Sequence, residues 1–394
     1  NAIWGVALPV PITIIFLNHL NFFQYMAFLP DYIGPAAFGV KLPVIQPGDN
    51  IENIVYSHLE KCAKDKLLNN NSIVCITESI VARSQNNYVN LDDIANDLST
   101  KLKLKDDSHI GVLFPIASRN RFSAILSGIA KAVPNGVVYV QFSKGKDEVG
   151  NEIKNHPITK MNYSELYKDI ITQEGAVPFI IESDRYNEMY LEYLDGMLVS
   201  SIHTRNEDLN KIKKYFRNSI TLQDICNESV SGRDGWSEWG LLGSNLSEGK
   251  LKLAPRDSEV LAINIQNRVK ENLGKDIEVM VYGDGAYKDP STGIYELADP
   301  VVAFGYTPNL EKQRDGVKYK YLTDKYLAQG LDKQEIEEKI KIESKELHEA
   351  NSIKTGGTTP RPLKDIAGSL ADLVSGSSDA GTPLVIINGL YVPK

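Results

Sequence analysis

Cysteine is scarce in this chain. Cys62, Cys75 and Cys226 are its only three, far apart and in no CxxC spacing. That excludes a metal knuckle or a disulfide framework and fits a reducing compartment. Cys75, inside an apolar run, is expected as core. Positive charge is also short: 43 basic residues stand against 51 acidic, a formal net charge of −8. With no Lys/Arg-rich run or aromatic-basic stripe, nucleic acid is not expected as a partner. HExxH, Gly-x-Ser-x-Gly and metal-spaced Cys/His sets are missing, so zinc-enzyme and simple hydrolase readings fall away. Gly243–Lys250 (GSNLSEGK) is close to a phosphate loop. It has one residue too many between its glycines, and Leu251 where Ser or Thr is required.

Charge is absent altogether from Asn1 to Pro30, and Pro11–Leu29 is strongly apolar. One reading is a membrane span or signal peptide. Pro9, Pro11, Asn18, His19, Asn21 and Gln24 interrupt such a span, and no basic residue precedes it. The other readings are an extended arm packed on its own protein or a neighbour, or a segment with no part in the fold. The expected location is cytoplasmic, with membrane association or export left open by this segment.

What is present is ordinary globular material, 42% hydrophobic and 24% charged over 394 residues, enough for two domains. Beyond residue 36, strand and helix patterns alternate, the mark of an α/β fold with a mixed, α+β-like sheet. Strands are predicted at Ser72–Ile76, His109–Pro115, Gly136–Phe142, Val177–Ile181, Met197–Ser200, Ile277–Tyr282 and Leu384–Asn388. Helices are predicted between them, among them Ile51–Leu68, Asn120–Val133, Glu207–Phe216, Asp257–Leu273, Tyr319–Ala328 and Arg361–Val374. Asn90 stands where it can cap a helix whose first turn carries Asp92 and Asp93. Lys333–Ala350 mixes both charge signs over a thin face of Ile336, Ile340 and Leu347, as a solvated surface helix does. The expected organisation is an apolar arm at 1–35, an α/β domain at 36–245 and a second at 246–394. Ser229–Lys250, rich in Gly and Ser, forms the junction.

Five segments carry residue types suited to chemistry. Ser72–Val89 (SIVCITESIVARSQNNYV) breaks from a buried-strand pattern into Thr77, Glu78 and Ser79; a second apolar patch then runs into a polar loop ending in Gln85-Asn86-Asn87. Tyr282–Pro300 supplies Asp284, Asp289, Glu296 and Asp299 among glycines. That set suits a metal–nucleotide site or, equally, a turn whose carboxylates satisfy backbone amides. Thr355–Pro362 (TGGTTPRP) and Ser375–Pro383 (SGSSDAGTP) flank a helix and offer Gly356, Gly357, Thr358, Ser375 and Ser377 to an anion, or are flexible loops. Arg119 and Arg121 follow one strand, and His203 and Arg205 follow another. Both sets suit a phosphate or carboxylate, with a solvated surface as the plain alternative.

With those residues in view, the chain resembles the γ-glutamyl ligase family of the deazaflavin coenzyme F(420). The likeness begins at Gly39–Asn50 (GVKLPVIQPGDN) and continues through ITESIVARSQNNYV. It extends through FPIASRNRFSAIL, WGLLGSN, VMVYGDGAYKDP, ELADPVV and GTTPRPLKDIAGSLADLVSGSSDAGTP, segments like those of a longer, firmicute-type branch. Where that family carries a lysine-containing loop, this chain has Thr77-Glu78-Ser79. The resemblance implies a two-domain ligase-like fold, GTP and Mg or Mn as cofactors, and activation of an acceptor carboxylate as an acyl phosphate. L-Glutamate then attacks to give an amide. On that reading Asp284, Asp289, Glu296 and Asp299 hold metal. Gly356, Gly357, Thr358, Ser375 and Ser377 take phosphate or substrate carboxylate. Thr77, Glu78 and Asn87 line the acceptor side, and Arg119, Arg121 and Arg205 are anion partners. The expected partners are a small-molecule acceptor and L-glutamate, in a homo-oligomer. The alternative is a non-enzymatic ligase-like scaffold assembling through its apolar arm.

Overall fold

Ile73–Thr77 (IVCIT) is apolar at every position but its last, and it is buried on both faces. A strand of that composition needs cover on two sides. In the computed structural model it lies at the centre of a five-stranded sheet ordered Ala36–Val40, Leu384–Asn388, Ile73–Thr77, Glu278–Tyr282, Ala303–Tyr306. The structure describes residues 32–155, 160–186, 191–230, 233–283, 286–288, 295–297, 301–314, 318–343, 361–375 and 381–391. Only the Ile73–Thr77 and Glu278–Tyr282 pair is parallel; the other three pairings are antiparallel. Alternation along the strands divides the core. Val74, Ile76, Val279 and Val281 pack with Val55, Leu59 and Ile265 from helices Ile51–Lys64 and Ser258–Leu273. Ile73, Cys75, Met280 and Tyr282 pack with Ala367 and Ala371 of helix Leu363–Ser375.

A second five-stranded sheet is wholly parallel: Val177–Glu182, Val137–Phe142, His109–Leu113, Gly196–Val199, Ser219–Thr221, in that spatial order. The chain lays down its first three strands in one direction, returns to the middle, and adds the last two on the other side. This is the doubly wound arrangement. Helices Leu91–Leu102, Arg121–Lys131 and Tyr163–Gln173 cover one face through Ile94, Ile125, Ile129 and Tyr167. Ile212 of helix Arg205–Ile212 packs the other face with Leu113, Met197 and Val199.

Residues 78–84, for which the sequence predicts no helix, form helix Glu78–Ser84, too short to show a periodic signal. Gly243–Lys250 is a hairpin: Ser244–Ser247 pairs antiparallel with Lys250–Leu253 across Glu248 and Gly249, both with positive φ. The two five-stranded sheets draw on different stretches of the chain. The first sheet joins strands from residues 36–77 with strands from 278–388, while the second is built wholly within 109–221. The interdigitated face of Lys333–Glu343 is Ile336 and Ile340 against Leu322 and Tyr326; Leu347 lies outside the described residues. So does the apolar segment 1–31; among the described residues no helix is long and apolar enough to cross a membrane.

Candidate active site

The parallel pair fixes where the chemistry-bearing segments meet. Thr77 stands opposite Tyr282 in the register, and Ile76 stands opposite Leu384 on the other side. The Thr77 amide donates to the Pro383 carbonyl at 3.0 Å. Three segments singled out in the sequence therefore converge at one end of the first sheet: Thr77–Ser79, the acidic stretch that begins after Tyr282, and the Gly/Ser stretch that ends at Pro383. Ser375, the last residue of helix Leu363–Ser375, shares a hydrogen bond between its Oγ and the Tyr282 hydroxyl. In doubly wound and related sheets the carboxyl ends of parallel strands are where ligand groups collect.

At this end Glu78 is buried and paired with Lys252, Nζ to Oε1 at 2.8 Å. The same ammonium donates to Ser79 Oγ at 2.9 Å. A buried ion pair holds its place only when its remaining bonds are satisfied, so it fixes geometry more than it stabilises. Lys252 was not a sequence candidate. It lies in KLKL, where Lys250 is exposed and Lys252 is buried, a difference that only the packing of strand Lys250–Leu253 on its neighbours creates. The lysine that meets Glu78 and Ser79 thus arrives from a distant strand.

The acidic segment leaves the sheet at Gly283 and forms a hairpin, Ala286–Lys288 with Tyr295–Leu297, in which Glu296 faces Tyr287 in register. Asp284, Asp289, Asp299 and the Glu296 side chain lie outside the described residues, as do Gly356, Gly357, Thr358 and Ser377. The two Gly/Ser segments flank opposite ends of helix Leu363–Ser375, about 20 Å long at 1.5 Å per residue. Just before that helix, Arg361 and Pro362 pair with Arg314 and Gln313. The segments thus attach to the core at separate places. Among the described residues there is no group of three or more His, Cys, Asp or Glu arranged for a metal ion.

Asn87 sits behind the strand end and is fully buried. Its Oδ1 accepts from the Trp236 amide at 2.9 Å and from Arg256 Nη1 at 3.2 Å, and its Nδ2 donates to the Ala254 carbonyl at 2.6 Å. Arg256 also donates to the Gln85, Asp234 and Trp236 carbonyls and lies over the Trp236 ring. Burial holds its guanidinium below the ordinary value. Asn87 and Arg256 together bind the Asp234–Trp236 segment to the turn that follows helix Glu78–Ser84.

The arginine candidates collect elsewhere, at the carboxyl edge of the second sheet. The spatial order reverses between His109–Leu113 and Gly196–Val199. Exposed Arg119 and buried Arg121 follow the first of these strands, and exposed His203 and half-buried Arg205 follow the second. Arg205 donates through Nη1 to the Ile202 carbonyl and through Nε to Gln223 Oε1 at 3.2 Å. Burial pulls its pKa down, and the carboxylate of Glu148 opposes that.

A cavity of about 710 Å³ runs along the outer strand Ala303–Tyr306. Val301 and Val302, the first described residues after the acidic segment, line it with Trp239 and Phe304. At its rim Lys364 Nζ meets the Tyr306 hydroxyl at 2.6 Å and Glu311 in an ion pair. Burial, with the Glu311 hydrogen bond, pushes the Tyr306 phenol up.

A family model described as F420-0:Gamma-glutamyl ligase matches residues 39–389. No curated protein matches the chain.

Proposed function

The chain belongs to the F420-0:gamma-glutamyl ligase family, a family of ligases. On that footing we propose that it joins L-glutamate to a small carboxylate acceptor such as coenzyme F(420)-0, using GTP and Mg or Mn. The acceptor carboxylate attacks the γ-phosphorus of GTP, giving an acyl phosphate and GDP. The glutamate nitrogen then attacks the acyl carbon; the new C–N bond forms, inorganic phosphate leaves, and the ammonium proton passes to solvent or a base. Asp284, Asp289, Glu296 and Asp299 are the proposed ligands of a divalent ion, which would neutralise the phosphate charge. Carboxylates on a turn after a strand are suitable donors for a hard cation. Gly356, Gly357, Thr358, Ser375 and Ser377 are the proposed phosphate or carboxylate contacts. Thr77, Glu78 and Asn87 form the acceptor side, with Lys252 holding Glu78 and Ser79 in position. Arg119, Arg121 and Arg205 are the proposed anion partners.

The observation that supports this reading most is the register, in which Thr77 lies beside both Tyr282 and Pro383. An activated-acyl mechanism needs metal, phosphate and acceptor groups at one place, and these three segments enter one strand end. Calorimetric titration of GTP and then ATP with Mn²⁺, before and after EDTA, tests it. Metal-dependent, GTP-selective binding is expected; no binding of either nucleotide sinks the reading. Asp284→Asn should abolish metal-dependent turnover while circular dichroism stays unchanged, and wild-type turnover would remove Asp284 from the site.

A further inference from the structure

Ser143–Glu152 reads SKGKDEVGNE, an acidic pair bracketed by Gly145 and Gly150, both at positive φ. The pair spans the place where the second sheet reverses its order. Asp147 Oδ2 accepts from the Ala117 amide at 3.0 Å, in the turn after His109–Leu113. Its Oδ1 accepts from the Val149 and Asn151 amides at 3.1 and 2.8 Å, within its own loop. Glu148 reaches the turn after the neighbouring strand, Gly196–Val199. Oε2 accepts from the Ile202 amide at 2.7 Å, and Oε1 accepts from the His203 and Thr204 amides at 2.7 and 2.9 Å. Helix Arg205–Ile212 begins next, and its N-cap, Thr204, makes no side-chain capping bond to it. Two adjacent carboxylates therefore sit on amide groups from both sides of the crevice in which doubly wound sheets bind ligands.

A second observation is independent of that loop. Ser200 is fully buried, and its Oγ has no hydrogen-bond partner. Its amide donates to the Leu113 carbonyl at 2.8 Å, which fixes it between the two strand ends. Met197 and Val199 face the cluster with Ile212, and Leu198 faces the cluster with Ala117 and Ile153. By alternation Ser200 shares the side of Leu198, where the Ala117 turn and the Asp147 loop pack. A buried hydroxyl without a partner is destabilising, because it gives up its bonds to water and gains none. A capping role accounts for Glu148 and leaves Ser200 unexplained.

We propose that this edge is an anion site closed by the chain's own Asp147 and Glu148. The two carboxylates occupy the positions taken, on binding, by a small molecule carrying two carboxylates or a phosphate. The glycines at 145 and 150 are the pivots on which the loop leaves, and Ser200 bonds the incoming polar group. The edge also carries Arg119, Arg121 and Arg205 of the ligase reading, but the proposal goes beyond that reading and does not depend on it, since it rests on the carboxylate–amide contacts and on Ser200. The turn that carries Arg119 lacks the glycines of a dinucleotide fingerprint, so recognition rests on amides and side chains.

The test is calorimetry on the full chain in EDTA, with succinate in one arm and inorganic pyrophosphate in the other. Wild type, Glu148→Gln and Ser200→Ala are compared. Weakening the internal competitor should tighten binding about tenfold in Glu148→Gln. Ser200→Ala should loosen it several-fold. The arm with the tighter binding assigns a dicarboxylate or a phosphate. Hydrogen exchange should rise in 143–152 on binding while the amides of 202–204 stay protected. Equal affinity in wild type and Glu148→Gln, binding in neither arm, or unchanged exchange in 143–152 would overturn the proposal. If Glu148→Gln does not fold, Glu148→Asp replaces it, being too short to reach all three amides, and carries the same expectation.

Discussion

Lys252 and Asp147 show what burial does to a single charged side chain. Lys252 and Glu78 are each nearly sealed from solvent, and each is the other's main partner. Removing one leaves the other charged, buried and unpaired. Lys252→Ala should therefore cost about 3–5 kcal/mol in urea denaturation, and Lys252→Met combined with Glu78→Gln should recover most of it. A loss below about 1 kcal/mol would mean that water reaches Glu78. Asp147 titrates against burial, which pushes its carboxyl above the ordinary 3.8, although its hydrogen bonds to Asn151, Ala117 and Val149 pull the other way. A carboxyl with a raised folded pKa binds its proton more tightly folded than unfolded. Its contribution is therefore complete below the unfolded value and is lost as pH rises through the folded one. The stability of wild type relative to Asp147→Asn should be greatest near pH 4 and fall towards pH 7. A difference that grows with pH would show that the hydrogen bonds outweigh burial.

Helix starts and strand edges set the next scale. Asn90 closes a full capping box with Asp93, as its sequence position predicts. Helix Ser258–Leu273 starts differently. Its N-cap, Asp257, has positive φ and makes no capping bond, and the first turn lies directly on Gly305 of the outer strand. A Cβ at 305 would stand 2.2 Å from the Glu259 nitrogen and 2.3 Å from the Ser258 carbonyl carbon. Gly305→Ala must push helix and strand apart. Its cost is expected at or above the usual 1–3 kcal/mol for overpacking, read from the urea midpoint. An unchanged midpoint would mean that this helix start can shift freely. Helix Glu78–Ser84 belongs to the same scale: its first turn presents Glu78 and Ser79 to Lys252.

At the scale of the molecule, one sheet is assembled from both ends of the described chain and encloses the stretch that builds the other. The site proposed for ligation centres on a strand end of the first sheet, while its arginines, Arg119, Arg121 and Arg205, stand at the edge of the second, where the anion site also lies. The ligase reading assigns no part to the apolar segment. Removing residues 1–35 should leave metal-dependent GTP binding and the light-scattering mass unchanged. A changed mass would favour an arm that assembles the protein.

The sequence by itself determined the α/β class and most elements, because strand and helix periodicity are local properties of composition; the family was legible in its motif segments. Leu384–Asn388 and Tyr319–Ala328 have the bounds their patterns predict. Tertiary structure decided which strands are neighbours. Antiparallel pairing of Leu384–Asn388 beside Ile73–Thr77, 307 residues away counted from Thr77 to Leu384, leaves no trace in either segment, since hydrogen bonds between backbones carry no residue code. The same holds for Lys252 at Glu78 and for Asp147 and Glu148 across the crevice. Each is an ordinary charge on an ordinary segment until folding removes the water around it and brings its partner within reach.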